Sequence, residues 1–122
     1  DSAAKLPASA LGLKAYDSGW FPVSLNSTYT KTHNLGTNKV LIQIFWSADA
    51  GSNAEVLNQV THTSISSYTC GCWVNTLTAT TVRINTGMTD LTSRGMNGWY
   101  WGGEIPPAQT SGYYRIIMLA LE

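Results

Sequence analysis

From Tyr16 onward the chain alternates apolar and polar side chains in short runs that end in clusters of Asn, Gly, Ser and Asp. A period of two is that of a β-strand, whose successive side chains point to opposite faces. The runs read as strands at Tyr16–Leu25, Thr28–Leu35, Lys39–Ala48, Glu55–Ser66, Trp73–Leu77, Thr80–Thr86, Gly98–Glu104 and Gly112–Leu121. Turn residues recur about every 8–12 positions, as in sandwiches and barrels, and no stretch carries a helical period. Thr28, Thr30 and Thr32 alternate with Tyr29, Lys31 and His33, and Val82 and Ile84 alternate with Thr81, Arg83 and Asn85. These are strands with one face in a core and one in water. The pattern predicts an all-β fold, an antiparallel β-sandwich of six to seven strands.

Two strands depart from that alternation. In Lys39–Ala48, Val40, Ile42, Ile44 and Trp46 point one way and Leu41 and Phe45 the other, with only Gln43 between them. In Gly112–Leu121, Ile116, Met118 and Ala120 oppose Ile117, Leu119 and Leu121. A sandwich strand needs one apolar face, so the surplus faces require a second cover. The simplest cover for so short a chain is another copy, arranged by closed symmetry. Asp1–Ala15, rich in Ala and Leu and interrupted by Pro7 and Gly12, reads as a linker from an upstream region, with the domain spanning residues 16–122. A chain that starts at Asp1 is expected to be a processed product or a fragment of a longer one.

Composition narrows the partners. The 122 residues make one domain, and seven Lys and Arg balance seven Asp and Glu. A nucleic-acid binder displaces counterions with a basic face, which this chain does not have. Charged residues are 11% of the chain, against about 25% in an average domain. Polarity comes instead from 15 Thr, 12 Ser and 8 Asn. No apolar run approaches the roughly 20 residues that span a bilayer as a helix. Cys70 and Cys72 flank a single glycine, a spacing that strains a disulfide in an extended segment, so both read as free thiols.

Candidate chemistry concentrates late in the chain. Trp99, Tyr100 and Trp101, flanked by glycines, cannot all face one core. Two readings stand: a core Trp pair with an interface Tyr, or flat aromatics that stack on a sugar ring. Just before them, Asp90, Arg94 and Asn97 are either directional hydrogen-bonding partners for a ligand or, for Asp90 and Arg94, a surface ion pair of small energetic weight. The Asp49–Glu55 stretch reads as a turn, its spacing unlike that of an EF-hand. Asn26-Ser27-Thr28 reads as a tight turn between the first two strands. His33, His62, Cys70 and Cys72 lack zinc-site spacing, so no metal and no other cofactor is expected. No nucleophile, phosphate-loop or dinucleotide motif is present, and four Asp with three Glu offer no acid–base pair worth assigning. The expectation is a protein that is not an enzyme.

Tyr16-Asp17-Ser18-Gly19-Trp20-Phe21, then Tyr29-Thr30-Lys31-Thr32-His33-Asn34-Leu35-Gly36 and the strand Val40-Leu41-Ile42-Gln43-Ile44, resemble the C-terminal domain of phage and prophage tail-fibre or tail-spike proteins. The same opening is similar to the H-type lectin pattern, and the closing Gly112-Tyr113-Tyr114-Arg115-Ile116-Ile117-Met118 is similar to the end of such fibre tips. The resemblance implies a sandwich that forms a homotrimer, is fed by a fibre shaft upstream in the same chain, and presents sugar-binding surfaces. It implies a virion location at the fibre tip, or on an extracellular phage-derived particle, and a bacterial surface glycan as partner. On this reading Trp99, Tyr100 and Trp101 stack on the glycan while Asp90, Arg94 and Asn97 hydrogen-bond to it. The alternative is a structural trimerisation or capsid-decoration domain that has no ligand.

Overall fold

The computed structural model describes residues 12–51, 58–59, 63–65, 68–91 and 109–121. Among them are strands β1 (Ala15–Asp17), β2 (Phe21–Ser24), β3 (Thr28–Thr32), β4 (Val40–Ser47), β5 (Asn58–Gln59), β6 (Thr63–Ile65), β7 (Tyr68–Cys70), β8 (Cys72–Leu77), β9 (Thr81–Thr86) and β10 (Ser111–Ala120), and no helix. The fold is all-β and every ladder is antiparallel. The first sheet is built on β10. Strands β1 and β2 pair with one of its edges, β4 pairs with the other over Tyr113–Ala120, and β5 lies beyond β4. The second sheet runs β3–β9–β8, and β6 pairs with β7.

Most expected strands appear within a few residues of their sequence positions. Two expected strands are divided: of Glu55–Ser66 the described residues form β5 beside β4 and β6 beside β7, in different sheets, and Tyr16–Leu25 is divided as well. Asp17 pairs with Ile117 and Phe21 with Tyr114, so Ser18, Gly19 and Trp20 lie opposite only Ile116 and Arg115. That is a one-residue bulge. Its backbone groups stay bonded: Ser18 N–H donates to Ile116 O (2.9 Å), and Ile116 N–H donates to Ser18 Oγ (2.8 Å). Gly19 takes φ +69°, where a Cβ would be strained, and its N–H donates to Asp17 Oδ1 (2.9 Å). A one-residue slip exchanges the faces of everything after it. Asp17 therefore points outward while Phe21 and Val23, at the same parity, are buried.

Lys14 and Ala15, at the end of the expected linker, also belong to this sheet: Ala15 pairs with Leu119, and Ala120 N–H donates to Lys14 O (2.9 Å). The expected turn at Asn26 is present, with Asn26 at φ +51° where the chain leaves β2 for β3. The expected strand Gly98–Glu104 lies outside the described residues.

The apolar faces of the two sheets share one core. Phe21, Val23, Ile44, Trp46, Tyr114, Ile116 and Met118 of the first sheet join Cys72, Val82 and Ile84 of the second, with Leu35 and Leu91 from connecting segments. Tyr29 of β3 packs on Phe21 at 5.8 Å between ring centroids, and Phe21 meets Tyr114 edge-on at 6.4 Å. Offset and edge-on geometries of this kind suit aromatic quadrupoles. Gly112 abuts the Trp46 indole so closely that a Cβ there would collide with it, and Trp46 Nε1–H donates to Ser111 O (3.3 Å). His33 is buried under the β8–β9 turn. Its Nδ1 accepts from Leu35 N–H (3.0 Å) and its Nε2 donates to Thr78 O (3.0 Å).

At the centre, the Tyr114 hydroxyl donates to Leu91 O at 2.5 Å, and the side chain is fully buried. Tyr114→Phe removes the donor and leaves a buried carbonyl unmet, which should destabilise the fold by about 1–3 kcal/mol. A lower urea midpoint at unchanged slope checks this.

Candidate functional site

Of the residues expected to meet a ligand, Arg94, Asn97, Trp99, Tyr100 and Trp101 lie outside the described residues. Asp90 lies within them and is 2% exposed. Its Oδ1 accepts from Gln109 N–H (3.2 Å), and Leu91 N–H donates to Gln109 O (2.8 Å). Asp90 and Leu91 are therefore both tied to Gln109, and Asp90 is buried at that junction rather than on a surface. Cys70 pairs with Asp90 in an isolated parallel bridge, and Gly71 N–H donates to Asp90 O (2.8 Å). The acid thus fastens the β7–β8 corner to the approach to β10.

Cys70 and Cys72 are free thiols, as expected, and both are buried. Burial pushes the Cys72 thiol up to about 12, against the small opposing effect of a hydrogen bond with Tyr114. Burial first, and the Asp90 charge second, raises Cys70. The thiolate is the reactive form, so these are inert positions. No cluster of three or more His, Cys, Asp or Glu suited to a metal exists among the described residues.

The described residues present two outward faces. On the first sheet, β4 and β10 carry the surplus apolar side chains anticipated from their sequences. Leu41 lies opposite Leu119, Phe45 opposite Arg115 and Gln43 opposite Ile117. Leu41 is 57% exposed and Leu121 58%, and burying either side chain fully would contribute about 1.5–3 kcal/mol. An apolar stripe across neighbouring strands marks an interaction surface more than a solvent face.

At one border of the stripe, the bulge assembles a polar group that the sequence reading did not anticipate. Arg115 Nε donates to Asp17 Oδ1 (2.9 Å) while Nη2 donates to Oδ2, and the guanidinium stands 6.0 Å over the Trp20 ring. The hydrogen bond from Arg115 is the main cause that holds the Asp17 carboxyl below its usual range. Trp20 in turn lies against Gly51, the end of a turn in which Ser47 Oγ accepts from Gly51 N–H (2.8 Å). The signal available in sequence was a single Arg on the outward parity of an otherwise apolar strand. Its partner depends on the bulge, which period-two reading does not contain.

On the second sheet the outward side chains are mostly polar. Thr30, Arg83 and Thr76 lie in one cross-strand row and Thr28, Asn85 and Trp73 in the next.

Compared with family models and with curated proteins, the chain matches none. No helix among the described residues is long and apolar enough to cross a membrane.

Two outcomes are expected. In native protein neither thiol should react readily with an aromatic disulfide reagent at neutral pH, and both should react after unfolding in guanidinium. For Asp17 the folded pKa lies below the unfolded one, so its stabilisation is present above about pH 4 and fades as pH falls through the lowered folded value. The pair is well exposed, at 38% and 44%, so the Asp17→Asn variant should lose under about 1 kcal/mol at neutral pH. The gap in melting temperature to the parent should close as the solution is acidified.

Proposed function

We propose that the chain is the receptor-binding tip domain of a phage-type tail fibre. It is a two-sheet β-sandwich that assembles as a homotrimer, is carried in the virion, and attaches without catalysis to a bacterial surface glycan. The observation that carries this reading is the outer face of β4 and β10. An apolar row with Leu41 and Leu121 exposed and Ile117 and Leu119 half-buried, on a chain with balanced, sparse charge, favours association of like copies. Three linked weak sites suit attachment, because avidity multiplies without new contacts.

The glycan half of the reading is supported by the aromatic stretch Trp99-Tyr100-Trp101, whose flanking residues Leu91 and Gln109 are bonded to each other. Arg94 and Asn97 fall in the same segment and remain its proposed hydrogen-bonding groups. The same apolar face also favours the alternative of a structural trimerisation or decoration domain with no ligand. Glycan binding separates the two.

Light scattering should give a mass of about three times 13.2 kDa, independent of concentration. Leu41→Asp should return a folded monomer, because the side chain is absent from the core cluster. On a glycan array, Trp101→Ala should lose binding while remaining trimeric. A parent protein that is a folded monomer overturns the fibre-tip reading, and a trimer that binds no glycan leaves the structural alternative.

A further inference from the structure

His33 stands where the two sheets meet at one end of the sandwich. It follows β3 and is 5% exposed, with Leu35 of the core cluster two residues on and Tyr16 of the first sheet edge-on to its ring at 6.3 Å between centroids. The backbone around it is bonded to the β8–β9 turn: His33 N–H donates to Thr80 O (2.7 Å), Asn34 N–H to the same oxygen (3.1 Å) and Gly36 N–H to Ala79 O (2.8 Å). From there the chain enters β4, and Lys39 O, just before it, accepts from Leu121 N–H (2.8 Å).

Both ring nitrogens are committed. Nδ1 accepts from Leu35 N–H (3.0 Å), so it carries no proton, and the proton on Nε2 goes to Thr78 O (3.0 Å). Only the neutral imidazole can make this pair of bonds. An imidazolium carries N–H on both nitrogens, which would set donor against donor at Leu35 and leave a buried amide unmet.

The groups packed around the ring do not offset an added charge. From the first sheet Tyr16 faces it, a phenol pushed further up by burial and by the Asp17 charge and therefore neutral. The β8–β9 turn offers only Thr and Ala. Among the described residues no carboxylate, lysine or arginine is bonded to the ring.

We propose that His33 is an acid-sensitive latch: protonation of its ring breaks the Leu35 bond and releases residues 33–36 from the β8–β9 turn, opening the sandwich where β3 passes into β4. The latch is independent of the glycan reading. A released ring binds a proton in the ordinary imidazole range, about pH 6.5, and a latched ring has no site for one. The open form therefore binds one more proton, and the opening constant rises about tenfold for each pH unit below that range. The Asp17–Arg115 pair responds only at lower pH, because Asp17 is held below the usual carboxylate range.

The test is hydrogen exchange and ring ¹⁵N spectroscopy on the full chain between about pH 7 and pH 5. At neutral pH the His33 ring should show a bare Nδ1 and a protonated Nε2. Toward acid the Leu35 and Gly36 amides should lose about tenfold in protection per pH unit, while the Thr86 amide, bonded to Ser27 O in the same sheet, keeps its own. His33→Asn places a non-titrating oxygen near the Nδ1 position. It should remove the pH dependence at Leu35 whatever its effect on overall stability. A ring that becomes imidazolium while Leu35 stays protected overturns the latch. So does acid loss of protection that is equal at Leu35 and Thr86, or that persists in His33→Asn. Should that variant not fold, the ring spectrum and the paired amides of the parent decide.

Discussion

Strand β10 is hydrogen-bonded along both edges, and that double pairing decides how the rest of the chain is arranged. Its antiparallel partners β4 on one side and β1 with β2 on the other leave it no open edge. Its even-numbered residues from Tyr114 to Ala120 are all buried, so the strand also forms one wall of the core. Strand pairing over eight consecutive residues with β4 is non-local in sequence, and the loop-closure entropy it requires is recovered only when the whole sheet forms. Folding of the two sheets is thereby coupled: Ile116 and Met118 of the first sheet share one core cluster with Val82 and Ile84 of the second.

The bulge at Ser18-Gly19-Trp20 follows from the same constraint. The segment from Ala15 to Ser24 has to run along one edge of β10 while offering Tyr16, Phe21 and Val23 to the core, and those three do not share a parity. One extra residue resolves the conflict. The Ser18 hydroxyl supplies the acceptor that the ladder lacks at Ile116 N–H, and Gly19 supplies the positive φ. The outward side of the same device is the Asp17–Arg115 pair beside Trp20. A solution to a packing problem thus creates the polar border of an apolar face.

These relations set what was legible in the sequence. Strands with strict alternation, such as Thr28–Thr32 and Thr81–Thr86, were readable because their faces meet different environments. The double-sided character of β4 and β10 was readable for the converse reason, since neither parity contains enough polar residues to face water. Tyr16–Leu25 was misread as one strand because a bulge preserves β-type composition while shifting the parity, and only the cross-strand register exposes it. Asp90 was read as a surface group because charge in a polar segment usually is one. Its burial comes from tertiary bonds to Gln109 and the Cys70 corner, which no local pattern encodes. Asn85 was counted correctly as outward, yet its unmet oxygen is a property of its neighbours and has no sequence signature.

The two outward faces lie on opposite sides of one core and differ in kind. The face of β4 and β10 is apolar, and its Arg115 is already neutralised by Asp17. Copies can close over it without burying an unpaired charge, which avoids the largest part of the desolvation penalty. The face of β3, β9 and β8 has the reverse character, with hydroxyls, an amide and an Arg83 that no carboxylate among the described residues balances. Burying it between copies would bring like charges together around a symmetry axis. An assembly formed through the first sheet therefore keeps the second sheet on the outside, repeated once per subunit and turned away from the axis. Substitutions at Thr28, Thr30 or Arg83 touch neither the packed cluster nor the apolar stripe, so the outer rows of the second sheet can change while the core stays as it is.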